Sequence, residues 1–314
     1  MRSIRWSDWL YLFRHRRDLT CLDNILYLTR GNPLSLSHLL FAIHPADHLF
    51  TGVCESPAAQ DRCIAQIFQS SKRSSAHLNY LLAPAEADSD CLLLLLEGLV
   101  KHAGGWGAKQ VVADVDIDSP IFTQFRQAGF SVLTTQVVFL CPLPEQPIKR
   151  QPTCWRIWSS ADIPAMRNLY HSVVPSLIQP GEPLTRQEAL GLVYQDQKGD
   201  LQAYADLVYG PAGIWVLPIV HPLIKVDPTD LLSEMLQALP DTYGRPVYVT
   251  ARSYQPWLEH ALCKLSSKRC FTQALLMRYM VRRQRVKAER AYPVVENGNR
   301  EPTLPIAPIR NCQD

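Results

Sequence analysis

Apolar and polar residues alternate along three consecutive runs in the first half of the chain, and this alternation predicts β-strands. The runs are "HLFTGVCE", "CIAQIFQSS" and "AHLNYLLA", which start at residues 48, 63 and 76. The polar turns "SPAAQD" and "SKRSS" separate them, so we expect an antiparallel meander. The leucine-rich stretch from about Asp90 to Ala103 predicts a buried helix that ends at Gly104-Gly105.

The rest of the first half predicts a strand, a short helix and a final strand. "AKQVVADVDI" alternates like a strand. "SPIFTQFRQAG" has Ser119 as N-cap, Pro120 at the first helical position and Gly129 at its end, which is typical of a short helix. "FSVLTTQVVFLC" predicts the last strand, and two earlier helices are expected over residues 7–18 and 34–43.

The second half repeats this order of elements. "CWRIWSS" predicts a strand, and "ADIPAMRNLYHSVV" and "TRQEALGLVYQ" predict helices. "LQAYADLVYG" and "AGIWVLPIV" predict strands, followed in turn by the helix "DPTDLLSEMLQAL", the strand "RPVYVTAR", the helix "YQPWLEHALCKL" and the strand "FTQALLMRYMV". A repeated element order predicts tandem domains, which we place at residues 1–141 and 153–282. Four prolines among polar residues indicate a linker over residues 142–152, and residues 283–314 have the composition of a disordered tail.

Composition narrows the class of protein. With 47% hydrophobic residues the chain can bury ordinary cores, and a net charge of +3 is too small to indicate a nucleic-acid partner. No apolar run approaches the roughly 18 residues of a membrane span, and no signal peptide is evident. We therefore expect no membrane partner. The nine cysteines without CxxC spacing indicate reduced thiols, so we expect a cytoplasmic protein, and no metal is expected.

In order and spacing, these elements resemble the GNAT superfamily of acetyl-CoA-dependent N-acyltransferases. In the first half the resemblance rests on "LNYLLAP" before the central helix and on "GAKQVVADVDIDSPIFTQFRQAGF" after it. In the second half it rests on "WRIWSSADIPAMRNLYHSVVP", on "WVLPIVHP" and on the strand–helix series that ends at Phe271. The implied fold is α/β: two tandem GNAT-like domains, each a mixed, mostly antiparallel sheet flanked by helices.

The resemblance implies a glycine-rich turn before each central helix, where backbone N–H groups and the helix dipole hold the coenzyme A pyrophosphate. The first half has "AEADSDC" at that place, with carboxylates at Glu86, Asp88 and Asp90 that repel a phosphate. The second half has "LIKVDPTD", in which Lys225 falls near the family's basic position. Acetyl-CoA binding is therefore expected to be weak and confined to the second half, with four candidate cofactor-binding residues: Ile219, Val220, Lys225 and Val226.

The family also needs a group that protonates the leaving thiolate. Phe125 and Ser266 stand at the positions where the family often has a tyrosine. His221 and Tyr254 are the candidate catalytic residues that the second half offers. The first half offers three further titratable or hydroxyl groups, Tyr80, Asp114 and Asp116.

Two functions follow from these observations. The resemblance implies an N-acetyltransferase-like protein that transfers an acyl group from acetyl-CoA to an amine. The departures at both turns favour the alternative, a non-catalytic tandem GNAT-fold protein, or pseudoenzyme, that binds a protein partner or a small ligand.

Overall fold

The strands predicted from alternation lie side by side in one mixed sheet. The computed structural model of the chain describes residues 1–34, 47–55, 62–71, 73–84, 89–142, 154–182, 184, 190–196 and 198–280. The helices are α1 Trp6–Arg14, α2 Asn24–Arg30, α3 Ser89–Gly105, α4 Ile121–Gln127, α5 Ile163–Val173, α6 Pro228–Ala238 and α7 Pro256–Lys264. The strands of the first half are β1 Arg2–Ser3, β2 Leu19–Cys21, β3 His48–Glu55, β4 Arg62–Gln69, β5 Ser75–Leu82, β6 Gln110–Asp116 and β7 Ser131–Cys141. Those of the second half are β8 Trp155–Ile157, β9 Gly191–Gln195, β10 Leu201–Tyr209, β11 Ile214–Val220, β12 Val247–Arg252 and β13 Lys268–Tyr279.

The two halves join by exchanging their last strands. The sheet has the order β1-β3-β4-β5-β6-β13-β7-β12-β11-β10-β9-β8, and β2 pairs with β5. β13, from the second half, therefore lies between β6 and β7 of the first half and pairs antiparallel with both. β7 in turn pairs antiparallel with β12 of the second half. Neither half completes its own sheet, so the described strands form a single continuous sheet.

Helices cover both faces of this sheet. Buried leucines of α3 and Phe125 of α4 pack on the first half, and those of α6 and α7 pack on the second half. On the opposite face, α2 crosses over to the second half, where Leu28 packs against Trp215 and Leu217 of β11. The turn between β10 and β11 needs glycine at Gly210, because a Cβ there would overlap the carbonyl oxygen of Thr29 at the end of α2.

An arginine–aspartate pair is repeated at the start of each half. Arg2 of β1 donates to both carboxylate oxygens of Asp8, at 2.6 and 3.0 Å. Arg156, beside Trp155 and Ile157 in β8, donates in the same way to Asp162, at 2.7 and 2.6 Å. Each aspartate also accepts a backbone N–H from three residues earlier, at 2.8 Å in both halves. A six-residue spacing with the same bonds, found twice, is a structural trace of the internal repeat.

The fold class predicted from the sequence is confirmed: the structure is α/β, with a mixed, mostly antiparallel sheet flanked by helices. The strands at 48, 63, 76, 108 and 130, and their second-half counterparts, lie where the alternation predicted them. The helix predicted over residues 185–195 is wrong over Gly191–Gln195, which forms strand β9. Both faces of β9 are buried, so Leu192 and Val193 satisfy either periodicity and the sequence favoured the wrong one.

Other predictions stay predictions. The helix at 34–43, the linker and the tail lie almost wholly outside the described residues, and the domain boundaries stay predictions. Helix α2 was missed, although Asp23 caps its start by accepting from Leu26 N at 3.0 Å and Gly31 ends it. Within the described residues, no helix combines the length and the apolar character that crossing a membrane requires.

Candidate functional site: two closed clefts and a central polar cavity

The crevice beyond the carboxyl ends of parallel strands is where α/β sheets usually bind ligands. In the first half, β5 and β6 pair in parallel from Ser75/Gln110 to His77/Val112 and then separate. β2 fills the gap by pairing with the outer part of β5. Leu22 then bridges the two strands, because its N–H donates to Asn79 O at 2.9 Å and its carbonyl accepts from Asp114 N at 2.8 Å. The chain itself therefore occupies the first cleft.

The second cleft is closed by one side chain. β11 and β12 pair in parallel over residues 214–216 and 247–249 and then separate. The Gln255 amide donates to Pro218 O at 3.0 Å and accepts from Val220 N at 2.8 Å. Gln255 has no exposed surface. The backbone groups that a ligand would use at this edge of β11 are thus already bonded.

The helix that opens at the second turn is capped by carboxylates. α6 begins at Pro228, which has no N–H to offer. Asp227 is its N-cap and accepts from Thr229 N at 2.7 Å, and Asp230 lies in its first turn. The equivalent helix of the first half, α3, has Asp90 in its first turn, and residues 85–88 before it lie outside the described part of the chain. Both arrangements place negative charge where a pyrophosphate would bind.

The four residues predicted to bind a cofactor are not brought together as one exposed surface. Ile219 and Val220 are buried, and they face different core clusters on opposite sides of the sheet. Lys225 is exposed in the turn before α6, and Val226 is half-buried against the second-half core.

The two candidate catalytic residues lie at different kinds of position. His221 follows β11 in a turn, where its Nδ1 accepts from Leu223 N at 3.2 Å. Tyr254 follows β12, and its hydroxyl donates to Glu182 Oε2 at 3.1 Å. Burial, with a contribution from Glu182, raises the pKa of Tyr254 well above its ordinary value, so its hydroxyl stays protonated. Tyr254 therefore belongs with the cavity described next, whereas His221 forms a turn.

Of the other candidates, Asp114 lies at a cavity and Tyr80 does not. Tyr80 is buried in the core around Leu12, and burial raises the pKa of its phenol. Asp116 ends β6, where it accepts from Asp118 N at 2.9 Å in a turn. Phe125 is fully buried and packs edge-on against Phe130, as a core residue does.

A cavity of about 240 Å³ lies where the two halves meet, on the face of the sheet that α2 and α5 cover. Its lining includes residues from β6, β7, β10, β11, β12 and β13, together with the start of α2 and the Gly181–Glu182 segment. The ionisable lining residues are Asp23, Arg73, His77, Asp114, Glu182, Asp206 and Arg252. Carboxylates therefore outnumber the arginines in the lining.

Hydrogen bonds join these side chains into one network across the halves. Arg252 is only 6% exposed, and it donates to Gln136 and forms an ion pair with Glu182. Gln136 donates to Asp114 Oδ1 at 3.0 Å, while Asn24 N donates to Asp114 Oδ2 at 3.1 Å. The Nε of Arg252 is buried and makes no hydrogen bond to protein. The cavity wall thus contains one buried donor that no protein group satisfies.

Asp114 is the most perturbed carboxyl of this network. Desolvation by burial raises its pKa to about 7, against the opposing charge of Arg252 and with support from nearby Asp23. The sequence analysis gives Asp114 and Tyr254 as candidate site residues, but not Glu182, Gln136 or Arg252. These three come from separate segments that only the strand exchange brings together, so no local signal in the sequence could have found them. Within the described residues, no cluster of three or more His, Cys, Asp or Glu could hold a metal ion.

No known protein family profile matches the chain. No curated protein matches it either. Among solved structures, it is similar to a functionally unknown conserved protein from Staphylococcus epidermidis, with 10% identity over 69% of this chain and 91% of that chain and a TM-score of 0.51. A tandem GNAT protein from the clavulanic acid biosynthesis pathway matches with 13% identity over 82% and 93% of the two chains and a TM-score of 0.47. A GCN5-related N-acetyltransferase from Sphaerobacter thermophilus matches with 12% identity over 82% and 90% and a TM-score of 0.46.

Likeness at such low identity concerns the fold alone. The chain's own topology has the features that the resemblance implied: a meander, a parallel pair joined by a helix, a second helix and a final strand, in that order and twice. The fold is therefore of the GNAT type. The likeness to acetyltransferases is shown for the fold alone.

Proposed function

We propose that this chain is a non-catalytic GNAT-fold protein that binds a small amine in its central cavity. The single observation that supports this most is the closure of both clefts, by β2 and Leu22 in the first half and by Gln255 in the second. The backbone N–H and C=O groups at the edges of the separated strands already have hydrogen-bond partners within the chain, so they are not available to bind a ligand. The cavity remains as the polar concave site.

Charge indicates the class of ligand. Asp23, Glu182 and Asp206 line the cavity together with two arginines, and Asp114 adds a further negative charge above about pH 7. A positively charged group is therefore favoured there. A volume of about 240 Å³ lies below the usual range for drug-sized ligands, which favours a small one. An amine also fits the acceptor class that the fold resemblance implied.

Three ligands of matched size test this proposal: butylamine, butanol and butyrate, each titrated against the full chain by NMR. We expect butylamine to bind most tightly, because only its charge is opposite to that of the lining. Asp114→Asn should weaken butylamine binding several-fold and leave butanol unchanged. Tighter binding of butyrate would contradict the assigned charge class.

A second candidate function is acyl transfer in the second half. It is favoured because a single side chain, Gln255, closes that cleft and because Tyr254 follows β12 with a hydroxyl that would be the proton donor to a leaving thiolate. Acetyl-CoA would then bind beside Ile219, Val220, Lys225 and Val226.

Calorimetric titration with acetyl-CoA separates the two functions. If the proposed function is correct, the unmodified chain should not bind acetyl-CoA at micromolar concentration, and Gln255→Ala should bind acetyl-CoA weakly at most. Any such binding should fall on Lys225→Glu and be unchanged on Asp88→Lys. A micromolar site in the unmodified chain, together with acetylation of an amine, would establish the enzyme instead.

A further inference from the structure

Helix α1 exposes three large apolar side chains on one face. Trp6 is 90% exposed, Leu10 is 73% exposed and Phe13 is 46% exposed. Their spacing of four and three residues places them along one side of a helix. Asp8 and Leu12, on the opposite side, are fully buried. The helix is therefore amphipathic, with an apolar face turned to solvent; we call Trp6, Leu10 and Phe13 the α1 face.

This face is held in place by the body of the protein. Asp8 accepts from Arg2 at 2.6 Å and from Arg62 at 2.8 Å, which ties the helix to β1 and β4. Leu12 packs with Val53, Ile64 and other buried residues of the sheet. An anchored helix cannot rotate to turn the α1 face into the core.

Arginines surround the α1 face. Arg5 precedes the helix, Arg14 ends it, and Arg16 and Arg17 follow; all four are exposed. Asp18 is the exposed acidic residue in this stretch. The whole chain has a net charge of only +3, so four arginines against one aspartate are a local excess of positive charge beside the apolar face. Other strongly exposed apolar residues, such as Leu177 and Leu223, lie in other segments.

From these observations we infer that α1 docks on an anionic lipid surface, lying in the plane of the membrane interface. Trp, Leu and Phe on one face with arginines beside them are the composition of helices that bind at this interface. The prediction of no membrane partner rested on the lack of a spanning segment. A nine-residue helix lies on a membrane without spanning it.

A second copy of the chain is a poor occupant for the same face. A twofold contact through α1 would bring Arg5 of one copy near Arg14, Arg16 and Arg17 of the other if the helices run antiparallel, or equal residues together if they run parallel. Like charges would meet in both arrangements. Anionic headgroups, in contrast, neutralise all four arginines while the apolar side chains enter the acyl boundary.

Vesicle flotation with the full chain tests the inference. Vesicles of equal parts phosphatidylcholine and phosphatidylglycerol should carry the protein, and pure phosphatidylcholine vesicles should carry roughly tenfold less. The double variant Trp6→Ser/Leu10→Ser should lower binding roughly tenfold or more, as should Arg16→Glu/Arg17→Glu. Leu177→Ser/Leu223→Ser, which removes equally exposed leucines elsewhere, should bind like the unmodified chain.

Several results would overturn the inference. These are no flotation of the unmodified chain, equal flotation with neutral vesicles, or equal loss in the Leu177/Leu223 control. Light scattering and thermal unfolding of the same variants identify another occupant. If Trp6→Ser/Leu10→Ser dissociates a dimer, the occupant is a second copy. If it lowers the melting temperature by many degrees, another segment of this chain covers the face.

Discussion

Replacing Gln255 tests whether the second cleft is closed. Gln255 is fully buried, and its amide is bonded to Pro218 O at 3.0 Å and to Val220 N at 2.8 Å. Gln255→Ala leaves two buried backbone groups without a partner. Each such group costs about 1–3 kcal/mol, so the free energy of unfolding should fall by about 2–6 kcal/mol. For a chain of this size, that lowers the melting temperature by at least about 3 °C.

Two further variants distinguish the loss of the two hydrogen bonds from the loss of packing and from the general effect of replacing a glutamine. Gln255→Leu keeps most of the side-chain volume and removes both bonds, so its loss should be similar to that of Gln255→Ala. Gln237→Ala, on the exposed face of α6, should change the free energy by less than about 0.5 kcal/mol.

Urea unfolding followed by circular dichroism measures all three variants. If both Gln255 variants lose less than about 1 kcal/mol, water already reaches Pro218 O and Val220 N. The second cleft would then be open, and the argument against acyl transfer there would fail.

Four other predictions follow from the same structure. Gly210→Ala should lower the unfolding free energy by about 1–3 kcal/mol, because its Cβ would overlap the end of α2; denaturant unfolding measures this loss. Carbon NMR should show the carboxyl of Asp114 titrating near pH 7. Because its pKa is raised in the folded state, the free energy of unfolding should fall as the pH rises from about 4 to 7. Asp114→Asn should remove this pH dependence. The hydrogen bond from Arg156 lowers the pKa of Asp162 to about 2, although burial acts in the opposite direction. Ionised Asp162 therefore stabilises the fold above about pH 4, and this stabilisation is lost as the pH falls toward 2. Acid unfolding of Asp162→Asn should lack this pH-dependent loss. The isolated segment 1–142 should give no cooperative unfolding transition, because β13 is missing between β6 and β7.

Local patterns predicted the elements well where polar turns bound an apolar run on both sides. β3, β4 and β5 are separated by such turns, although β4 and β5 are buried along almost their whole length. The run before β9 has no such turn, and burial on both faces of β9 removes the period that marks a strand. Helix α2 has its boundary signals in the sequence, a capping aspartate at Asp23 and a terminal glycine at Gly31.

The candidate site was harder to predict than the fold. Asp114 and Tyr254 were selected as titratable groups next to predicted strands, and both lie at the cavity or its network. His221 is a candidate on the same ground, and Lys225 is one because it falls near the family's basic position; both lie in turns outside the lining. Gln136, Glu182 and Arg252 meet only because β7 pairs with β12, and long-range pairing of this kind leaves no periodic signal in a single sequence.

The exchanged strand also determines when the protein can fold during its synthesis. A ribosome delivers β6 and β7 early, but the strand that belongs between them, β13, is translated last among the described strands. Until then, both β6 and β7 have a strand edge without its final partner, and such edges invite pairing with other chains. The nascent chain therefore has to protect two open edges through the making of its whole second half. Conditions that slow translation there should raise the yield of aggregated protein more than a slowdown before β6 would.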